Sequence, residues 1–266
     1  MIRKLVEEDR ELALEFLSEE PSINLFLIGD IECFGFYEDF QELWGSFNEK
    51  NQLEGILLRY HESYIPYYKD PGFDVSEFKK IIEADNRKRI ISGKEEIALR
   101  FRDTLPKLSE KSTFFCELKD GYNLKEDSTS IKIAKKEDAE RVFNIIHQIE
   151  EFRATGTSTV EKIEKVIESK AGRVYYIENE AGEIISVAQT TAENSKGAMV
   201  VGVATLEGYR KQGLMSKCLS KLCRDVLAGG KKLCLFYNNP DAGRVYHKLG
   251  FVSIDKWTML VEVKNN

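Results

Sequence analysis

The sequence predicts an α/β (α+β) fold, a mixed and mostly antiparallel central sheet flanked by helices, built as two tandem domains. Three observations predict it. Short runs rich in β-branched and aromatic residues are joined by polar turns of hairpin length, which makes neighbouring strands antiparallel. Segments with apolar residues three and four apart read as amphipathic helices. The same order of elements can be read twice along 266 residues, a length beyond what one compact core usually needs.

In the first half, "EEDRELALEFLSEE" has helical spacing around Leu12 and Phe16, and "QELWGSFNEKNQLEGILLRYHESYIPYYKD" reads as three strands with short turns. "DVSEFKKIIEAD" is helical, "RKRIISG" extended, "KEEIALRFRDTL" helical and "STFFCELKD" extended. "ELKDGYNLKEDSTS" then mixes Gly, Asn, Asp and Ser without periodicity, which sets the seam between domains 1–125 and 126–266.

The second half opens with a short strand and a helix in "TSIKIAKKEDAERVFNIIHQIEEF", with Val142, Ile145, Ile146 and Ile149 on one face. In "STVEKIEKVIESK", Ser158 and Thr159 precede Glu161 and Glu164, a helix-start signature. Three strands follow, "RVYYIE", "EIISVAQTTAE" and "GAMVVGVATL", separated by the turns "NEAG" and "NSK". A helix in "MSKCLSKLCRDVLAGG", a strand "KKLCLFYN", a helix "PDAGRVYHKLG" and a terminal strand pair in "FVSIDKWTMLVEV" complete the chain.

Composition excludes several classes. The net charge of −6 speaks against nonspecific nucleic-acid binding, which needs clustered cations. No apolar run approaches the roughly 20 residues of a membrane helix and the N-terminus lacks a signal-type apolar region, so a cytoplasmic, non-membrane chain is expected. The five cysteines form no CxxC pair and sit mostly among apolar neighbours, which predicts buried reduced thiols and no metal site. No Gly-Lys-Ser/Thr loop supports nucleotide hydrolysis, and no Gly-x-Ser-x-Gly or Cys/His context supports a covalent acyl-enzyme.

One loop carries chemistry. In "YRKQGLMS" a strand turns directly into a helix, whose exposed N–H groups and partial positive charge form an anion cradle. Gly213 lets backbone approach an oxyanion closely, Arg210 and Lys211 add charge, and Ser216 adds a hydroxyl. A phosphate or pyrophosphate suits such a turn.

This loop, "RKQGLM", resembles the Arg/Gln-x-x-Gly-x-Gly/Ala phosphate loop of the GNAT superfamily of acyl-CoA-dependent N-acyltransferases. The resemblance runs through residues 129–263 and is sharpest at 199–216 and 236–251. It implies a GNAT domain preceded by a degenerate GNAT-like copy, and acetyl-CoA as co-substrate. It further implies that backbone groups of Val203 and Thr205 bond the pantetheine arm. The amides of Lys211, Gln212, Gly213, Leu214, Met215 and Ser216 would hold the pyrophosphate, with Arg210 opening the loop. Met215 departs from the family's Gly or Ala.

In "NNPDAGRVYHKLGF", Asn239 is suited to capping, and Tyr246 stands four residues before the Gly-Phe pair, where GNAT enzymes often place the acid that protonates the departing thiolate. Met199 falls where some members carry a glutamate base. The nearest carboxylates are Glu193, Glu178 and Glu151, and Glu193 is the candidate base. His247 lies about 100° around the helix from Tyr246 and is not expected to share its proton.

The implied reaction is direct transfer to a primary amine on a small molecule or peptide. The alternative is a non-catalytic acyl-CoA-binding regulatory module, suggested by Met199 and Met215. The first half has no equivalent loop. Its run Tyr60, Tyr64, Tyr67 and Tyr68 either walls a substrate pocket at the domain junction or alternates between core and solvent as strand residues do.

Overall fold

The computed structural model describes residues 1–126, 130–149 and 159–263. Its contacts divide the chain into two compact units, residues 1–115 with 253–266, and residues 116–252. The sequence reading sets the seam ten residues later and groups 253–266 with the second half.

The first unit contains β1 (Ile2–Lys4), α1 (Arg10–Ser18), α2 (Leu25–Phe34), β2 (Gln41–Phe47), β3 (Leu53–Tyr60), β4 (Ser63–Tyr68), α3 (Ser76–Glu83), β5 (Ile90–Lys94) and α4 (Glu95–Ala98). It also holds most of β6 (Leu108–Leu118). The strands β1 to β4 form an antiparallel meander, and α3 crosses over to bring β5 parallel to β4 at Ser63–Tyr64. α1 buries Ala13, Phe16 and Leu17, whereas Leu12, expected on the apolar face, is 40% exposed.

Instead of a terminal strand pair, residues 252–262 form one strand, β12 (Val252–Glu262). From Trp257 to Val261 it runs antiparallel to β5, and the strand order here is β1-β2-β3-β4-β5-β12-β6. A bidentate ion pair between Arg89 and Glu262 fixes this register, with contacts of 2.6 and 3.0 Å.

The aromatic run is core. Tyr64, Tyr67 and Tyr68 are each at most 5% exposed. Their hydroxyls are tied: Tyr64 donates to Asp85 at 2.6 Å, Tyr67 donates to Glu20 at 2.8 Å, and Tyr68 accepts from Arg100 at 3.2 Å. Tyr60 is half-buried beside Phe34, Phe40 and His61.

The second unit contains β7 (Lys132–Ile133), α5 (Ala139–His147), α6 (Val160–Ser169), β8 (Val174–Glu178), β9 (Ile184–Thr191), β10 (Gly197–Thr205), α7 (Leu214–Leu227), β11 (Lys232–Tyr237) and α8 (Pro240–Lys248). The strand order is β11-β10-β9-β8-β7, antiparallel except for the β10–β11 pair. α7 forms that crossover and buries Cys218, Leu219, Leu222, Cys223 and Val226, each contributing roughly 1.5–3 kcal/mol if its side chain is large and apolar.

α5 buries Val142, Ile145 and Ile146 as the spacing predicts. Thr159 caps α6, its hydroxyl accepting from the Lys162 amide at 3.3 Å, while Ser158 lies outside the described residues. Four cysteines are buried; Cys33, on α2, is exposed against expectation. The sheets of both units are mixed and mainly antiparallel with flanking helices, the predicted class. Among the described residues no helix is long and apolar enough to cross a membrane.

Candidate active site

The site begins with a fault in β10. Residues Gly197–Val200 pair in parallel with Lys232–Leu235 of β11, and there the register ends although both strands continue. Against β9 the register slips between Val201 and Ala204, so Gly202 and Val203 form a bulge. Gly202 has φ 56°, and a Cβ there would lie 2.2 Å from Gln189 Nε2, so only glycine fits without displacing that amide. The bulge bends β10 where it loses β11, leaving the backbone from Val201 to Thr205 without a β11 register partner. Such an edge offers N–H and C=O groups to an extended ligand.

The far end of β10 is anchored. Ser186 Oγ donates to the Ala204 carbonyl at 3.1 Å and shares a 2.9 Å hydrogen bond with Thr205 Oγ1. After a 3-10 turn at Glu207–Tyr209, Arg210 folds back so that Nε donates to the Thr205 carbonyl at 3.2 Å. Lys211 has φ 64° and Gly213 φ 75°, conformations that build anion-binding concavities of successive N–H groups. Gly213 is the N-cap of α7, and a Cβ on it would meet nothing within 4 Å. The cradle therefore opens to solvent at the helix N-terminus, where the dipole favours an anion.

Arg210, Lys211, Gln212 and Gly213 are exposed, and Leu214, Met215 and Ser216 half-buried. Met215 packs against the core cluster with Leu214, so its side chain is drawn inward and away from the cradle. Met199 is buried at 2% exposure on the paired part of β10, where it serves packing.

α8 follows β11 directly. Asn239 caps it, Oδ1 accepting from the Asp241 amide at 2.9 Å, and Pro240 occupies the first turn. Tyr246 is 8% exposed, with its ring centroid 6.1 Å from Tyr237 and 6.0 Å from Phe251. Burial pushes its phenol up to about 12, so it holds its proton at neutral pH.

Two neighbours were not legible as site residues. Tyr237 lies two residues beyond the last β11 residue paired with β10, packed on Gly243, whose Cβ would meet its ring at 2.4 Å. Its hydroxyl is 3.0 Å from His247 Nε2. The only sequence signal was the tyrosine at the end of a strand and the histidine beside Tyr246.

Glu193, the candidate base, is held by two cations. It accepts both Arg173 Nε at 3.0 Å and Nη2 at 2.7 Å, and Lys231 Nζ at 2.9 Å. Burial alone would raise its carboxyl, but the Arg173 and Lys231 hydrogen bonds outweigh it and hold the group below the usual range. It precedes Gly197, so the five strand residues 197–201, about 17 Å, lie between it and the bulge, and all nine residues of β10, about 30 Å, between it and the loop. An anion so engaged is a poor base. Glu178 is likewise bound by Arg141 and Lys132, and Glu151 lies outside the described residues.

Comparison with known proteins decides the family. The model of the GNAT acetyltransferase family matches residues 76–260, more than half of the chain. The chain belongs to the GNAT acetyltransferase family. Among solved structures, a Drosophila protein superposes with a TM-score of 0.75 at 10% identity, over 100% of this chain and 99% of that one. A tandem GNAT protein from the clavulanic acid biosynthesis pathway gives 0.58 at 13% identity, over 100% and 99%. A GCN5-related N-acetyltransferase from Kribbella flavida gives 0.56 at 18% identity, over 79% and 87%. At these identities the likeness is one of fold. A search of curated proteins finds no match.

Proposed function

We propose that this GNAT chain is an N-acetyltransferase that moves an acetyl group from acetyl-CoA directly to a primary amine of a small molecule or peptide, in the cytoplasm. The observation that carries the reading is the parting of β10 from β11 after Val200 and Leu235, directly upstream of the cradle at 210–216. The stretch at Val203 and Thr205, past the last residue in register with β11, suits the amide-bearing pantetheine arm. The amides from Lys211 to Ser216 suit the pyrophosphate, and Asn239 borders the arm from α8.

The transfer needs a neutral amine and a protonated leaving group. The amine nitrogen attacks the thioester carbonyl, the C–N bond forms, and the C–S bond breaks with its electron pair going to sulfur. Tyr246, a protonated phenol, donates a proton to the thiolate and recovers one from solvent, to which the nitrogen gives up its own proton as the amide forms. The test is release of free CoA thiol from acetyl-CoA in the presence of primary amines. Amine-dependent release supports transfer. Acetyl-CoA binding without release from any amine would favour the second reading, an acyl-CoA-binding regulatory module, which the buried Met199 favours.

A further inference from the structure

The bulge in β10 carries a polar side chain on its face. We propose that Gln189 is a further catalytic residue of the transfer, its Nε2 donating to the carbonyl oxygen of the bound thioester and to the oxyanion which that oxygen becomes. This rests on the transferase reading above.

Gln189 is held from both sides. It lies inside β9, in register with Val174 of β8 and with Val201 of β10, so a rigid sheet positions it. Its side chain crosses to the bulge. The point where a Cβ of Gly202 would stand is 2.2 Å from Nε2, 3.2 Å from Cδ and 3.8 Å from Cγ. The amide therefore fills the space that glycine leaves empty on β10, one residue from Val203.

The polar side chains near it on β9 are engaged within the fold. Ser186 bonds to Ala204 and Thr205, and Thr190 Oγ1 accepts from the Arg173 amide at 2.9 Å. Gln189 differs. It is 8% exposed, and among the described residues its side chain makes no hydrogen bond. An amide so placed has lost most of its water without gaining a partner, and a hydrogen bond to a ligand offsets that cost.

Position agrees with the role. With the phosphates at 211–216, a pantetheine arm that runs back along Thr205 and Val203 brings its sulfur end to the bulge, beside this amide. As the amine nitrogen adds, the C–N bond forms and the carbonyl π pair moves onto oxygen. The Nε2–H bond to that oxygen strengthens with the charge, so it favours the transition state over the bound thioester. When the pair returns, the C–S bond breaks and sulfur keeps its electrons. Gln189 gives up no proton.

The test uses the full chain, with Gln189→Met and Gln189→Leu as apolar replacements whose folding is checked by circular dichroism. Infrared difference spectra follow acetyl-CoA labelled with carbon-13 at the thioester carbonyl. The carbonyl stretch should lie lower on the wild type than on either variant. A second readout needs no variant: in the nitrogen-15-labelled wild type, the Gln189 side-chain amide protons should move downfield when acetyl-CoA binds. With spermidine, glycine and a dipeptide amine as acceptors, kcat should fall about 100-fold in both variants while acetyl-CoA affinity by calorimetry is unchanged. The two spectra decide even where no amine of the set reacts. Acetyl-CoA that binds with equal carbonyl frequencies in wild type and variants, or without moving the Gln189 amide protons, would overturn the role of Gln189 and leave the transferase reading intact. Absence of acetyl-CoA binding to the wild type would overturn both.

Discussion

At the scale of single residues, the site sorts its ionisable groups by surroundings. Tyr246 sits in an apolar niche with Phe251, and a phenol pushed up to about 12 is a donor at neutral pH and no base. Tyr246→Phe should keep acetyl-CoA affinity and lower kcat about 100-fold, read by thiol release beside calorimetry. Glu193 does the opposite work: it stabilises. Its carboxyl is lowered in the fold, so its contribution is complete above the unfolded value of about 4.3 and is lost as pH falls through the lower folded value. Glu193→Gln should cost about 2 kcal/mol at pH 7, less at pH 3, and leave acetyl-CoA binding unchanged; melting curves at both pH values check this.

These residues also show what a sequence conceals. Tyr246 was legible because its offset from Gly250 and Phe251 is local. The partners of Glu193 are 20 and 38 residues away, and Tyr237 meets His247 ten residues on, across a strand-to-helix turn. Pairings of that kind follow from packing, and nothing in the local pattern announces them.

At the scale of elements, β10 is the part that makes a site out of a sheet. Its run of small apolar residues after a hairpin turn identifies it as a strand, and "GVAT" gives no sign that the register slips within it. The slip depends on the positive φ of Gly202 and on the Gln189 amide against it. Gly202→Ala should therefore destabilise by about 1–3 kcal/mol, as a side chain forced into left-handed backbone against a buried amide. It should also weaken acetyl-CoA binding about tenfold, because the bend that frees the Val203 edge is disturbed. Chemical denaturation and calorimetry on the same preparation separate the two effects.

The first unit repeats the crossover without the cradle. Between β4 and α3 the chain reads "KDPGFDVSE", and the Pro71 and Phe73 carbonyls accept from Arg100 at 3.1 and 2.7 Å. Phe73 stacks on Tyr68 with centroids 4.7 Å apart. A loop closed by an arginine and an aromatic ring offers no cradle of free amides, in keeping with the missing Arg-x-x-Gly-x-Gly.

At the scale of the whole molecule, the plan of two similar halves was visible from the order of elements, and the destination of the last strand was not. Alternation in "FVSIDKWTMLVEV" tells which residues share a face; it does not tell which strand will be the neighbour. The structure pairs Trp257–Val261 with Lys94–Ile90, and buries Trp257 at 4% exposure with Leu260 at 0%. The family match, residues 76–260, likewise begins in the first unit and ends in this strand. Removing residues 253–266 should therefore unfold the first unit first, since it loses an interior strand. Loss of protection at β5 and β6 in hydrogen exchange is the readout.

The net charge of −6 leaves the cations at Arg210 and Lys211 as a local feature, and the central claim is that this feature holds the phosphates of an acyl-CoA. Calorimetric titration of acetyl-CoA into the wild type and into Gly213→Glu tests it most directly, because a side chain at 213 points into open space at the helix N-terminus and would place a carboxylate in the cradle. The account predicts micromolar-range binding to the wild type that the substitution abolishes, with circular dichroism unchanged. Absence of binding to the wild type, or equal binding to both, would contradict it.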